Sequence, residues 1–381
     1  MTLDADELEA AAREETGLTD FGDGLHRDGL ERLVASMNEE GDLTETGEMM
    51  QRIRLGAHLT ARLRVEQTYR EHPEIEEQVV EGPVFVIGLP RTGTTALSHL
   101  VAADPQFRSL RLWESGAPVP PPEAATQHTD PRIAETEIGL ALMNEAFPLM
   151  QTMYHSEATT ATECQDLMGM SFRTAHFDGS ARVPSYMDWV VDCDMRGTYE
   201  YHRRVLRLLQ WHCPPRLWHL KTPVHMFALD ALIEAYPDAR FLWSHRDPAK
   251  VLGSVCSLVH YTRSWSSDRD DAFELGREMV DRWALAVERA MEFRARVGDE
   301  RFADVPFAAL QRDPVDAIAA SYERIGLELS DESRRAITQW ATGHQPGSHG
   351  SHRYDLADFG IDAERVRARF ARYIAEYAAT D

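Results

Sequence analysis

The stretch Val84-Phe85-Val86-Ile87-Gly88-Leu89-Pro90-Arg91-Thr92-Gly93-Thr94-Thr95 constrains the fold of this chain more than any other. Its first half is a short apolar run of β-branched and aromatic residues, the pattern of a buried strand. A turn of Gly, Pro, Arg and Thr follows, and then an Ala/Leu-rich helical pattern over about 96–103. Strand, tight loop and helix in this order cradle a phosphate-like group on backbone N–H groups at the helix start. The Gly88-x4-Gly93 spacing is that of a nucleotide phosphate loop, but Thr94 stands where such a loop carries its lysine. The loop's only cation is Arg91. The stretch therefore reads as a holder of a phosphate-like group that is not an ordinary ATPase or GTPase loop.

Two more strand-like runs precede polar turns: 216–220 before Lys221-Thr222-Pro223, and 240–245 before Arg246-Asp247-Pro248. In each, Thr222 or Asp247 is placed to cap a helix, with the proline at its first position. A long amphipathic helix is expected near 271–298, a short strand over 301–307, and a C-terminal helix near 362–378 that buries Val366, Phe370, Ile374 and Tyr377. Alternating strands and helices predict an α/β fold: a P-loop-like central parallel sheet flanked by helices, with ligands at the carboxyl ends of the strands. Residues 4–71 read as helices with acidic faces, and Ile53, Leu55, Leu59, Leu63 and Val65 form an apolar stripe expected to pack on the outside of the main domain. Pro118 to Pro122 is a stiff connector. Residues 131–212 are largely helical and rich in Met and aromatic residues, mostly core and in part the wall of an apolar substrate pocket. The expected organisation is one domain over 1–381: an N-terminal helical segment (1–75), a core (80–312) carrying the helical insertion (131–212), and C-terminal helices with a covering loop (313–381).

The formal net charge of −23 argues against nucleic-acid or anionic-membrane binding. A polyanion-binding site in so acidic a chain must concentrate its few cations locally. No apolar run reaches the length of a membrane span, and Met1 to Glu15 is acidic without a signal-peptide apolar core, so a cytoplasmic location is expected. The four cysteines are scattered and read as free thiols of a reduced compartment. The sixteen histidines show no metal-ligand spacing, and no metal is expected.

The loop Gly-Leu-Pro-Arg-Thr-Gly-Thr-Thr, together with Arg246-Asp247-Pro248 and Ser254, resembles sulfotransferases that use 3′-phosphoadenylyl sulfate (PAPS), in particular the bacterial branch with a G-x-P-R-[ST]-G-T-T loop. The likeness continues through Leu112-Trp113-Glu114, Leu220-Lys221-Thr222-Pro223-x-His225, Tyr236-Pro237-Asp238-Ala239-Arg240-Phe241 and His352-Arg353-Tyr354-Asp355-Leu356-x-x-Phe359-Gly360. It covers roughly residues 50–378.

The resemblance implies roles residue by residue. Arg91, Thr92, Gly93, Thr94 and Thr95 match the 5′-phosphosulfate loop, where a fixed cation and oriented N–H groups stabilise charge growing on the bridging oxygen. Arg246 and Ser254 match the 3′-phosphate site that separates PAPS from ATP. Lys221 matches a lysine that leans on the transferring group. Glu114 matches a general base and His225 a rival one; the sequence leaves both open, with Glu114 favoured. His352, Arg353 and Tyr354 lie where relatives fold a loop over the cofactor, although the R-K-G and G-x-x-G-D-W patterns of cytosolic animal enzymes are absent.

The implied reaction turns PAPS and an acceptor hydroxyl into PAP and a sulfate ester, without metal. The acceptor is expected to be a small hydrophobic alcohol or phenol, with a sugar or glycolipid hydroxyl as the alternative. A P-loop-type phosphotransferase would need a Walker lysine and a Mg-binding Asp, and a non-catalytic binding protein would be marked by loss of Arg91, Lys221 or the phosphate-site pair. Oligomeric state stays open, a homo-oligomer included.

Overall fold

The apolar run at 84–88 is the middle strand of a five-stranded sheet. The computed structural model describes residues 2–153, 156–344 and 354–379. Its strands are β1 (Val84–Gly88), β2 (Phe107–Ser109), β3 (Leu217–Lys221), β4 (Arg240–His245) and β5 (Phe302–Pro306), in the order β2-β3-β1-β4-β5. Every pair is parallel. All five residues of β1 are buried because helices cover both faces, which is why the run is continuously apolar rather than alternating. Phe85 and Ile87 enter the larger core with Trp218, Leu220, Phe241 and Trp243. Val84 and Val86 face the other way, onto Leu97, Leu100, Val101, Leu242 and Val305.

From β1 the chain passes through the helix Thr94–Ala102 to β2 at one edge, then to β3, and crosses β1 to reach β4 and β5. The strand order thus reverses at β1, and the carboxyl ends of β3, β1 and β4 border one crevice. In register, Val86 lies beside Lys221 and Gly88 beside Ser244, so the polar residues ending β3 and β4 flank the loop that leaves β1.

The N-terminal helices do more than coat the domain. Ala5–Thr16, Leu25–Glu40 and Glu45–Glu71 build a second core with part of the insertion, joining Leu30, Leu33 and Leu59 to Phe172, Phe177 and Tyr186. Leu55, Leu59 and Leu63, four residues apart, are fully buried there, and Val65 joins the main core. Ile53 falls off that face and is 66% exposed, a correction to the apolar stripe.

The insertion is more broken than expected. It holds Pro131–Ala146, the short helices Met150–Met153 and Gln165–Gly169, then Pro184–Val190 and Arg196–Gln210, joined by turns and loops. β2 has three residues, too few for a period, and sequence reading missed it. The C-terminal helix is two, Ala363–Arg369 and Ala371–Tyr377, hinged at Phe370. Val366, Phe370 and Tyr373 are buried, whereas Ile374 and Tyr377 are only half-buried. Among the described residues no helix is long and apolar enough to cross a membrane.

Candidate active site

The loop after β1 is shaped by three left-handed backbone positions. Gly88, Arg91 and Gly93 have φ of 140°, 67° and 86°. An added Cβ on Gly88 would lie 2.4 Å from Ser244 Oγ and 2.6 Å from the Ser244 carbonyl oxygen, so β1 and β4 approach this closely only because the residue is glycine. On Gly93 it would lie 2.9 Å from the Phe307 ring. Thr92 is fully buried. Its hydroxyl donates to the Leu89 carbonyl at 2.7 Å and shares a 2.6 Å bond with Ser244 Oγ, and its N–H also goes to Leu89 O. Thr92 thus holds the loop closed through its hydroxyl and its N–H. The first bond of the following helix runs from Leu97 N to Gly93 O, so the N–H groups of Gly93, Thr94, Thr95 and Ala96 precede the helical ladder.

Arg91 reaches across the crevice mouth. Its Nε donates to Ser254 Oγ at 3.0 Å and a terminal nitrogen donates to the Met153 carbonyl at 2.8 Å. Ser254 lies two turns into the helix Pro248–Arg263, which Asp247 caps by accepting from Ala249 N at 2.9 Å, as its position before Pro248 predicts. The other Asp247 oxygen accepts from Arg367 at 2.8 Å, so this carboxylate serves the helix start. Arg246 donates to the Arg91 carbonyl at 3.1 Å and lies over the Phe307 ring, 4.0 Å from its centroid. Phe307 therefore wedges between Gly93 and Arg246, a positioning role with no signal in the sequence. Tyr354 donates to the Lys250 carbonyl at 2.8 Å and rests its ring on Gly253, where any Cβ would strike it. Arg91, Ser254, Arg246 and Tyr354 are thereby brought together. His352 and Arg353 lie outside the described residues.

Arg91 is half-buried. Burial lowers its pKa, Tyr354 raises it, and the neighbouring Arg246 lowers it further. The buried arginines Arg62, Arg108, Arg263 and Arg294 are paired with carboxylates, those of Asp23, Glu114, Asp178 and Asp304. Arg91 bonds a hydroxyl and a carbonyl instead.

On the other side of β1, the Lys221 side chain is buried at the end of β3, with Nζ 3.4 Å from Thr95 Oγ1 and 2.6 Å from Glu163 Oε1. Oε2 of Glu163 accepts from the Thr222 hydroxyl at 2.9 Å and from Gln165. Thr222 therefore does not cap the following turn with its side chain, as its position had suggested. The segment carrying Glu163 is pinned by the N–H of Cys164 on the Lys221 carbonyl at 2.9 Å.

Glu114 and His225, the two expected bases, are both buried. The Glu114 side chain has no exposed surface. It accepts from Arg108 at 2.7 Å and from the Arg111 N–H at 3.3 Å, closing the start of the short helix Leu112–Gly116. His225 is fully buried, 2.9 Å from Tyr199 OH through Nδ1 and edge-on to Phe85. Burial, aided by His202, holds its pKa well below the usual value. Among the described residues no group of three or more His, Cys, Asp or Glu could hold a metal ion.

A parallel sheet with this loop, two arginines and a buried lysine at its carboxyl ends matches a known class. The Sulfotransferase family model matches residues 83–331, and the chain belongs to that family. Among solved structures it is similar to the sulfotransferase STF1 from Mycobacterium tuberculosis H37Rv, at 34% identity and a TM-score of 0.88, covering 97% of this chain and 99% of that one. It is also similar to the sulfotransferase STF9 from Mycobacterium avium, at 31% identity and a TM-score of 0.87, covering 98% and 96%. A curated relative at 24% identity, spanning 78% of this chain and 76% of its own length, is the omega-hydroxy-beta-dihydromenaquinone-9 sulfotransferase Stf3 of Mycobacterium bovis. The chain is a sulfotransferase.

Proposed function

We propose that the protein transfers the sulfuryl group of PAPS to a hydroxyl of a small apolar alcohol or phenol. The observation that carries this reading is Arg91, a half-buried guanidinium in a phosphate-type loop whose hydrogen-bond partners among the described residues are two neutral oxygens. In a chain of net charge −23, a partly desolvated cation with no carboxylate partner among the described residues is matched to an incoming anion. The N–H groups of Gly93 to Ala96 and Arg91 would hold the 5′-phosphosulfate. Arg246 and Ser254 would take the 3′-phosphate, with Tyr354 beside them. Lys221 would face the bridging oxygen, where negative charge builds as the sulfuryl group leaves. An apolar acceptor agrees with the Met-rich insertion, whose Met153 carbonyl touches Arg91, and with the relative named for a hydroxylated menaquinone derivative.

Calorimetric titration with PAP, with ATP and AMP as controls, tests the cofactor. PAP binds far more tightly than ATP, and Arg246→Ala weakens it by about 10- to 100-fold, the worth of one charge-assisted phosphate contact. Equal binding of PAP and ATP would overturn the reading in favour of a phosphotransferase.

A further inference from the structure

Arg54, like Arg91, has no carboxylate partner among the described residues. It lies one turn before His58 in the helix Glu45–Glu71, is half-buried, and packs its guanidinium 5.2 Å from the centroid of the Phe177 ring. Its nitrogens make no hydrogen bond or ion pair among the described residues. Arg62, two turns further along the same helix, shows the ordinary arrangement: it is fully buried and gives its N–H groups to Asp23 and to the carbonyls of Phe21 and Met170. His58 and His176 stand beside Arg54. Burial brings the pKa of His58 down to about 4 and that of His176 well below the usual value, and the Arg54 charge lowers both further. Both imidazoles are therefore uncharged at neutral pH, each with one N–H to donate. Burial lowers the pKa of Arg54 as well, with Asp166 and Tyr186 opposing it. Asp166 acts only through space, since its Oδ2 accepts from the Ser115 hydroxyl at 2.8 Å. The nitrogens of Arg54, His58 and His176 lack hydrogen-bond partners among the described residues, yet they keep accessible surface. Groups this desolvated but still accessible open into a recess of the fold, and gathering them there is costly unless an anion completes the set.

The recess lies at the far end of the crevice already described. The helix Pro248–Arg263 runs from Ser254, which bonds Arg91, to Thr262. The Thr262 hydroxyl donates to the Gly179 carbonyl, at the end of the 3₁₀ turn Ala175–Gly179 that carries His176 and Phe177. Along this helix Ser254, Ser257, Leu258 and Tyr261 are half-buried, whereas Val251, Leu252, Val255 and Cys256 are buried, so one stripe of it lines an opening between the two ends. Ser254 and Thr262 are about 12 Å apart along the helix axis. On the opposite wall, the helix Gln165–Gly169 links the same two places. Gln165 donates to Glu163, the partner of Lys221, and Gly169 packs under the His58 ring, where a Cβ would lie 2.6 Å from Cε1.

We propose that Arg54, His58 and His176 form a subsite for a carboxylate carried by the acceptor, which makes that acceptor a hydroxy acid whose hydroxyl and carboxylate are held about 10 Å apart by an apolar spacer. The inference rests on the PAPS reading above. The planar guanidinium takes both carboxylate oxygens, and a neutral imidazole adds a further N–H. Phe177, under the guanidinium, fixes its plane. A monoanion fits better than a phosphate dianion, because Asp166 is close enough to act on Arg54 and repels a second charge. With the carboxylate seated, the hydroxyl at the other end of the spacer is directed to Lys221 and the phosphate loop.

The test uses the full chain and does not need the natural acceptor. Hydroxyphenylalkanoic acids of increasing chain length, and their methyl esters, are given with radiolabelled PAPS to the parent, Arg54→Gln and Arg54→Lys, and PAP is titrated into each. In the parent the acid exceeds its ester in kcat/KM by about 10- to 100-fold at the best length, chiefly through KM, the worth of one charge-assisted contact. The preference peaks at an intermediate spacer. Arg54→Gln brings the ratio of acid to ester to within about threefold of one, Arg54→Lys keeps part of it, and PAP binds all three proteins alike. A parent that treats acid and ester equally, or prefers the ester, overturns the proposal. So does an Arg54→Gln protein that loses acid and ester turnover to the same degree, or loses PAP affinity with them, which would make Arg54 a structural residue. A parent that binds PAP but sulfates no member of the series overturns it as well. Failure of the parent to bind PAP is a separate result and refutes the cofactor reading itself.

Discussion

Replacing Gly88 by alanine should damage the site through one carbon atom. The new Cβ meets the Ser244 carbonyl at 2.6 Å and its hydroxyl at 2.4 Å, about 1 Å short of ordinary contact. The hydroxyl can rotate away, but the carbonyl belongs to β4 and can retreat only if the strands part. A φ of 140° adds backbone strain of about 1–3 kcal/mol for an L-residue. Overpacking between two buried strands adds roughly 1–3 kcal/mol more. The sum, about 2–6 kcal/mol, is a large part of a typical folding free energy of about 5–15 kcal/mol. Parting β1 from β4 also breaks the Thr92–Ser244 bond that closes the loop. Urea unfolding followed by tryptophan fluorescence should therefore show a markedly lower midpoint for Gly88→Ala, and PAP titration of the still-folded protein should show weakened binding. Gly56→Ala is the control, since Gly56 lies inside the helix Glu45–Glu71 with nothing within 4 Å of its added Cβ. It should stabilise by roughly 0.5–1 kcal/mol. A Gly88→Ala protein within 1 kcal/mol of the parent and with full PAP affinity would refute the argument.

Phe307→Ala removes the ring under the Arg246 guanidinium. With such a contact worth about 0.5–1.5 kcal/mol, calorimetry should show PAP binding weakened by about 2- to 10-fold, and unchanged affinity would deny Phe307 any positioning role. Acid should destabilise the fold through His202 and His219, which burial pushes down to about 3. The unfolded chain binds these protons from about pH 6.5 downward and the folded chain does not, so their stabilisation is full above pH 6.5 and lost as pH falls toward 3. The slope is about 1.4 kcal/mol per pH unit for each histidine. Urea midpoints measured from pH 7.5 to 4.5 should fall, and a level profile would show that these rings titrate freely.

What the sequence made legible was local. The β1 loop could be read because glycine spacing and a β-branched run report backbone geometry directly, and Asp247 because a cap acts on its own next turn. The surroundings of Glu114 and His225 were not legible, because residue type and spacing do not say which way a side chain points. Arg108, six residues before Glu114, turns it inward, and Tyr199 on a distant helix claims His225. Glu163 was invisible for the complementary reason. It sits in irregular chain without periodicity and reaches Lys221 only because Cys164 is tied to the end of β3. Phe307 likewise matters only through two neighbours distant in sequence, Gly93 and Arg246.

The loop after β1 is fastened to the end of β4 and to the turn behind it, by Thr92 to Ser244 and by Arg246 to the Arg91 carbonyl. The fastening makes loop and turn one mechanical unit. A change that displaces the end of β4 therefore carries Arg91 and the start of the following helix with it, so the two halves of the site cannot be retuned separately.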